Sequence, residues 1–185
     1  MRFWVSLSFR LRSCSGAEID DTRKLSEQLI HHWRKDAVKG NAKAQYLLAG
    51  QYFHGRFIDK DRVEAAKWYL KAAEQGFAMA QFEIAQCYDF GEGVTEDHVE
   101  AVKWYRKLAD QGDARGQYQL GGKYCNGEGV PKDDTLAYMW WNLAAAQGDN
   151  GAKRYKALIS ERMTKEQITE AQKLSREWLA KHAKP

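Results

Sequence analysis

The sequence predicts an all-α solenoid of stacked helix pairs, and three observations carry that prediction. Lys67-Trp68-Tyr69, Lys103-Trp104-Tyr105 and Met139-Trp140-Trp141 recur at a spacing of 36 residues. The same register runs through Ala44-Gln45, Ala80-Gln81 and Gly116-Gln117, then Tyr52, Tyr88 and Tyr124, then Gly55, Gly91 and Gly127, and Gln75-Gly76, Gln111-Gly112 and Gln147-Gly148 close the units. Within each unit the apolar residues fall at helical spacing. Self-similarity at this length marks units that bury their apolar faces against neighbours, and the extended surfaces of such arrays usually bind other macromolecules.

The chain of 185 residues suits one such array with a continuous core. Its 29 basic and 25 acidic residues leave a formal charge of +4, too even a balance to imply a polyanion-binding protein. Apolar residues make up 44%, with 7 Trp and 9 Tyr against 2 Pro, a composition that belongs to an ordered, helix-rich protein. Cys14, Cys87 and Cys125 are odd in number and far apart, so they outline neither a disulfide framework nor a CxxC metal site.

Residues 1–20 read as a tail or a vestigial signal-like segment. Its apolar stretch from Phe3 to Phe9 is at the minimum length for a signal peptide, and Arg10 and Arg12 follow at once. The reading leans cytoplasmic, with export to the periplasm or surface as the alternative. No other segment approaches the about 20 apolar residues that a membrane span requires. Residues 21–39 form an N-terminal capping helix, from about Asp21 to Val38, carrying Leu25, Leu29, Ile30 and Trp33. Three 36-residue units then fill 40–147, as 40–75, 76–111 and 112–147, and capping helices fill 148–185.

The second unit is the clearest. Its first helix runs from about Phe77 to Asp89 and puts Ala80, Ile84 and Tyr88 on one face. The turn Gly91-Glu92-Gly93-Val94 offers two residues able to take positive φ, with Val94 as an apolar plug, and Gly127-Glu128-Gly129-Val130 repeats it. The second helix starts at Asp97 with Glu100 three residues on, as Asp61 and Glu64 do in the first unit, which is an N-terminal capping signature. Ala101, Trp104, Tyr105, Leu108 and Ala109 make a stripe wide enough to face a core, Glu100, Lys103 and Lys107 face solvent, and Gln111-Gly112 ends the helix.

This pattern resembles the Sel-one-like repeat family, a relative of the tetratricopeptide repeats. The resemblance rests on Ala-x-x-x-(Leu/Ile)-Ala/Gly-x-x-Tyr-x-x-Gly-x-Gly-Val, then Asp, then Ala-x-x-Trp-Tyr and Ala-x-Gln-Gly, from about Gly40 to Gln147. It implies a right-handed superhelix of antiparallel helix pairs whose first helices line a concave groove. The first unit departs from the pattern at Phe57-Ile58, so a different turn is expected there. Met163-Thr164-x-Glu166-Gln167-Ile168 is similar to the terminal helix of bacterial members.

The third unit carries Leu136, Met139 and Leu143 where the others have Glu64/Glu100, Lys67/Lys103 and Lys71/Lys107. An apolar outer stripe needs a cover, predicted as one helix with Ala152, Tyr155 and Ile159 and another with Ile168, Ala171, Ser175 and Trp178, the latter capped by Thr164 and Gln167.

Function is sought where the repeat varies within a constant frame. The periodic Trp and Tyr residues are read as structural. One varying stripe of the first helices holds Lys43, Leu47, Gly50 and His54, then Met79, Glu83, Gln86 and Phe90, then Arg115, Gln119, Gly122 and Asn126. Spaced i, i+4, i+7 and i+11, these share one face apart from the core stripe, a surface suited to an extended peptide or a partner helix. His31-His32 point about 100° apart without a ligand at the required spacing, so no metal site and no cofactor are assigned. Cys87 shares its repeat position with Gln51 and Lys123 and is expected as a surface thiol.

The resemblance implies a noncatalytic adaptor with a protein or peptide partner. Some cysteine-rich members are linked to penicillin binding or β-lactamase activity, but Ser-x-x-Lys, His-Glu-x-x-His and a phosphate loop are all missing here. Repeat-type nucleic-acid binding would require a basic stripe, and Glu83 in mid-groove argues against it. Neither an enzyme nor a nucleic-acid partner is therefore expected.

Overall fold

A computed structural model of the chain describes residues 28–182. The segment 1–20 with Cys14, and the first turns of the helix expected from about Asp21 with Leu25, lie outside the described residues. Among the described residues there are nine helices and no strand: α1 (28–38), α2 (Ala42–His54), α3 (Arg62–Glu74), α4 (Ala78–Phe90), α5 (His98–Asp110), α6 (Ala114–Asn126), α7 (Asp134–Ala146), α8 (Asn150–Ser160) and α9 (Lys165–His182). From α2 to α8 each helix packs on the next, as antiparallel pairs joined by short loops, and α9 folds back onto α7. The fold is the all-α solenoid that the period predicts.

The helix ends follow from their residues. Asp61, Asp97 and Asp133 accept hydrogen bonds from the backbone N–H three residues on, at 2.9, 3.0 and 3.0 Å, each satisfying a donor that has no partner within its helix. Glu64 and Glu100 do not reach back to complete a capping box; they pair with Lys67 and Lys103. Thr164 and Gln167 do complete one: Thr164 N–H donates to Gln167 Oε1 at 2.9 Å, and Gln167 N–H to Thr164 Oγ1 at 3.3 Å.

The glycine turns are fixed by backbone contact as well as by dihedral angle. Gly93 and Gly129 have φ of 80° and 71°. A Cβ on either would lie 1.9 or 2.2 Å from the carbonyl oxygen of Arg62 or His98, at the start of the preceding unit's second helix. The second glycine of each turn is thus where one unit is seated on the last. Phe57 occupies this position in the first unit, stays out of the positive-φ region and is 51% exposed.

A second periodic device is polar. Gln75, Gln111 and Gln147 donate through Nε2 to the Oε1 of Gln45, Gln81 and Gln117, at 2.7, 3.0 and 2.9 Å. The acceptor glutamines are buried, and Gln45 and Gln81 donate onward to the carbonyls of Ala37 and Ala73. A buried amide without partners is costly, so these bonds link the first and second helices of every unit at the same height.

Ala80 and Ile84 are fully buried, as are Ala101, Tyr105, Leu108 and Ala109, with Trp104 at 4% exposure. The main core runs without a break from Ala49 to Ala171. A smaller cluster of Ile30, Ala37, Ala44 and Leu48 joins it through Tyr52 and Trp68, which pack against both. Lys71 and Lys107 lay their ammonium groups over Trp68 and Trp104, 4.2 and 3.8 Å from the ring centroids. In the third unit α9 takes over that role: Trp178 meets Trp140 edge to face at 6.1 Å, and Met139 and Leu143 are buried. Ala152 and Ile159 of α8 are also buried, and Tyr155 stacks on Trp141 at 5.4 Å. Trp141 replaces the tyrosines of the earlier units, and Gly121 makes room for it, since a Cβ there would come within 2.4 Å of the indole.

The structure corrects the expectation for Cys87. It is 1% exposed, packed in the core, and burial pushes its thiol up to about 12. Positions 51, 87 and 123 lie on the inward side of the helix, so their variability reflects changes in the interior.

Two outcomes follow. Trp104→Ala, which removes a buried indole from the middle unit, is expected to cost about 3 to 5 kcal/mol and to uncouple the two halves of the array in thermal unfolding; a single cooperative transition with an unchanged midpoint would contradict this. In a Cys14→Ser background, Cys125 is expected to react with a neutral disulfide reagent about tenfold faster than Cys87, whose modification waits on unfolding. Equal rates in the folded protein would show that position 87 opens to solvent.

Candidate partner-binding groove

The varying stripe lies on the face opposite the core along all three first helices. On α2, Lys43 and His54 are exposed while Leu47 and Gly50 are half-buried. On α4, Met79 and Phe90 are 45% and 66% exposed, and Glu83 and Gln86 are half-buried between them. On α6, Arg115 and Asn126 are exposed, and Gln119 and Gly122 half-buried.

Glu83 is the centre of this face. Burial raises its carboxyl above the usual range, Arg115 opposes that shift and Glu92 adds to it. Arg115 acts on Glu83 through space from the next unit, its guanidinium held by Asp113, which accepts from its Nε at 3.0 Å and its Nη2 at 2.7 Å. The guanidinium also lies 5.1 Å from the Phe82 ring centroid. At the far end of α2, burial lowers the His54 imidazole, and Arg56 and Lys60 lower it further.

At the loop end of α4 and α6 the structure brings together residues that sequence reasoning missed. Lys123, 7% exposed at its side chain, pairs with Asp89, equally buried, and with Glu128 at 2.8 Å. Asp89 also accepts from His98 Nδ1 at 2.8 Å and from the Tyr105 hydroxyl at 3.4 Å. Glu128 accepts from Asn126 at 3.0 Å, and its bond with Lys123 holds its carboxyl below the usual range. This network floors an open cleft of about 230 Å³, walled by Phe90, Gln119, Gly122 and Asn126 of the predicted stripe.

A signal for it exists in the repeat alignment. Where the second unit pairs Asp89 with His98, the first places Arg62 over Phe53, 5.3 Å from its centroid, and the third joins Cys125 and Asp134 through Arg162. Two positions nine residues apart therefore change together from unit to unit, which marks a contact.

Lys123 is held between two carboxylates, Asp89 and Glu128, rather than standing free in the cleft. No group of three or more His, Cys, Asp or Glu that could hold a metal ion occurs among the described residues, and none of their helices is long and apolar enough to cross a membrane.

The Sel1 repeat model matches residues 42–77, 78–113 and 114–149, together more than half of the chain. A Sel1 repeat protein from Oxalobacter formigenes is similar at 39% identity and a TM-score of 0.68, over 77% of this chain and 58% of that one. A protective antigen of uropathogenic Escherichia coli strains, displaying an SLR fold, is similar at 29% identity and a TM-score of 0.55, over 83% of this chain and 41% of that one. The chain thus spans about half the length of these two relatives. Helicobacter pylori cysteine rich protein B, 24% identical with a TM-score of 0.53 over 65% of this chain and 92% of its own, shares the fold. No curated protein matches the sequence. With three matched units, and helix caps and aromatic pairs recurring in each, the chain belongs to the Sel1 repeat family.

Proposed function

We propose that this chain is a noncatalytic adaptor that holds an extended peptide or a partner helix along the face formed by α2, α4 and α6. Sel1 repeat proteins generally mediate protein–protein interactions as noncatalytic scaffolds, and the groove assignment is the further step. One observation carries it. Met79 and Phe90 stand exposed on either side of Glu83, a carboxylate the fold keeps half-buried against its own preference for water. Apolar anchors around a partly desolvated charge are the composition of a recognition surface, whereas a merely solvated face has no reason to hold a carboxylate at that cost.

The test replaces Met79→Ala, Glu83→Gln, Phe90→Ala and Gln119→Ala together. Since none of the four is a fully buried core residue, the melting temperature is expected to stay within a few degrees, about 1 kcal/mol of stability. Affinity capture from native lysate with mass spectrometry is expected to lose a protein that the unaltered chain retains. Loss of folding would show that core had been taken for groove, and identical captures would remove the groove from the argument.

Glu83→Gln alone separates recognition from stability. An acid whose folded pKa lies above its unfolded one makes folding less favourable as pH rises through the interval between the two values. Above that interval the charge is a standing cost, so Glu83→Gln is expected to melt at the same or a higher temperature at pH 7, the difference vanishing below the carboxylate range. A lower melting temperature at pH 7 would mean that the Glu83 carboxylate stabilises the fold.

A further inference from the structure

The cleft between α4 and α6 breaks the rule its sister units keep. Lys123 stands where the other units have the half-buried Gln51 and the buried Cys87, and Asp89 where they have Phe53 and Cys125. Placing an ion pair at 7% exposure costs desolvation that a neutral pair avoids. When one unit of an otherwise consistent array departs from its frame in this way, the departure marks a site.

The balance of charge says what the site would take. Asp89, Glu128 and Glu96 meet Lys123 and His98, with His98 lying 2.8 Å from Asp89 and 3.4 Å from Glu96. Two carboxylates, Asp89 and Glu128, line the cleft against one permanent cation, and Glu96 sits on His98 beside it, so the surplus is negative. The ring of Phe90 forms an exposed wall whose face attracts a cation. The Gln119 amide and the free carbonyl of Asn126, whose Nδ2 is already committed to Glu128, add neutral acceptors. Gly122 leaves the floor between them open, with nothing within 4 Å of where its Cβ would be.

Resting on the groove reading above, we propose that this cleft receives an arginine or lysine side chain of the bound polypeptide, its charge against Glu128 and Asp89 and its stem against Phe90. The partner is thereby narrowed to a segment with a basic residue at the point where it crosses from α4 to α6. The volume of about 230 Å³ admits one long side chain.

The experiment titrates the isotope-labelled full chain with acetyl-Gly-Arg-Gly-amide, and separately with the Glu and Leu counterparts, following backbone amides by NMR. The arginine peptide is expected to shift the amides of Gly122 and Asn126 saturably, and the other two to leave them unmoved. Gly122→Leu projects into the cleft from a position where nothing lies within 4 Å of its Cβ and removes a helical glycine, so it is expected to weaken the arginine peptide by about tenfold or more with an unchanged or higher melting temperature. Glu128→Gln is expected to weaken it as well. Saturable binding of the glutamate peptide, equal binding to the Gly122→Leu chain, or no saturable shift with arginine would each overturn the proposal. If a captured protein is lost by the four-residue groove variant but kept by Gly122→Leu, the cleft assignment falls and the groove reading stands.

Discussion

Burial of the paired aromatic residues on the second helices, Trp68-Tyr69, Trp104-Tyr105 and Trp140-Trp141, is the constraint to which the rest of the array answers. Adjacent helical residues point about 100° apart, so each pair needs cover in two directions. Tyr105 finds Phe82 and Asp89 in its own unit. Trp104 is roofed by Lys107, and Trp140 by α9. Because a unit covers its neighbour, none is complete alone, and the core becomes one body from Ala49 to Ala171.

The polar features serve the same end. Glutamine pairs lock the two helices of a unit at one height, and glycines at 93 and 129 let a loop rest directly on the backbone of the unit before it. Rigid stacking in turn leaves the opposite face of α2, α4 and α6 outside the fully buried core. That face can therefore vary, and it holds a half-buried carboxylate and two exposed apolar side chains that stability does not call for. The adaptor reading and the proposed cation site both grow from this division of labour.

The repeat helices were legible almost completely, because each is stated three times and a misread residue in one unit is corrected by the other two. Even the apolar outer stripe of Leu136, Met139 and Leu143 announced a covering helix, since an exposed stripe of that kind is unfavourable. The site was legible only in part. The exposed half of the stripe, from Lys43 to Asn126, could be placed by helical spacing. The floor of the cleft could not: Lys123 and Asp89 are charged, and charge in a sequence is ordinarily a sign of solvent.

Cys87 shows why. Periodicity determines which face a residue occupies to within a fraction of a turn, enough to separate Ile84 from Glu83 but not to decide a position at the boundary between core and groove. The sequence alone settled the helix pairs, their order, the capping residues and the aromatic core, because these depend on local spacing and on burial that repeats. How position 51, 87 or 123 is used was settled by three-dimensional packing, because it depends on which partner the neighbouring unit supplies. Lys123 is buried because Asp89, 34 residues earlier, waits for it across the seam, and no local pattern contains that contact.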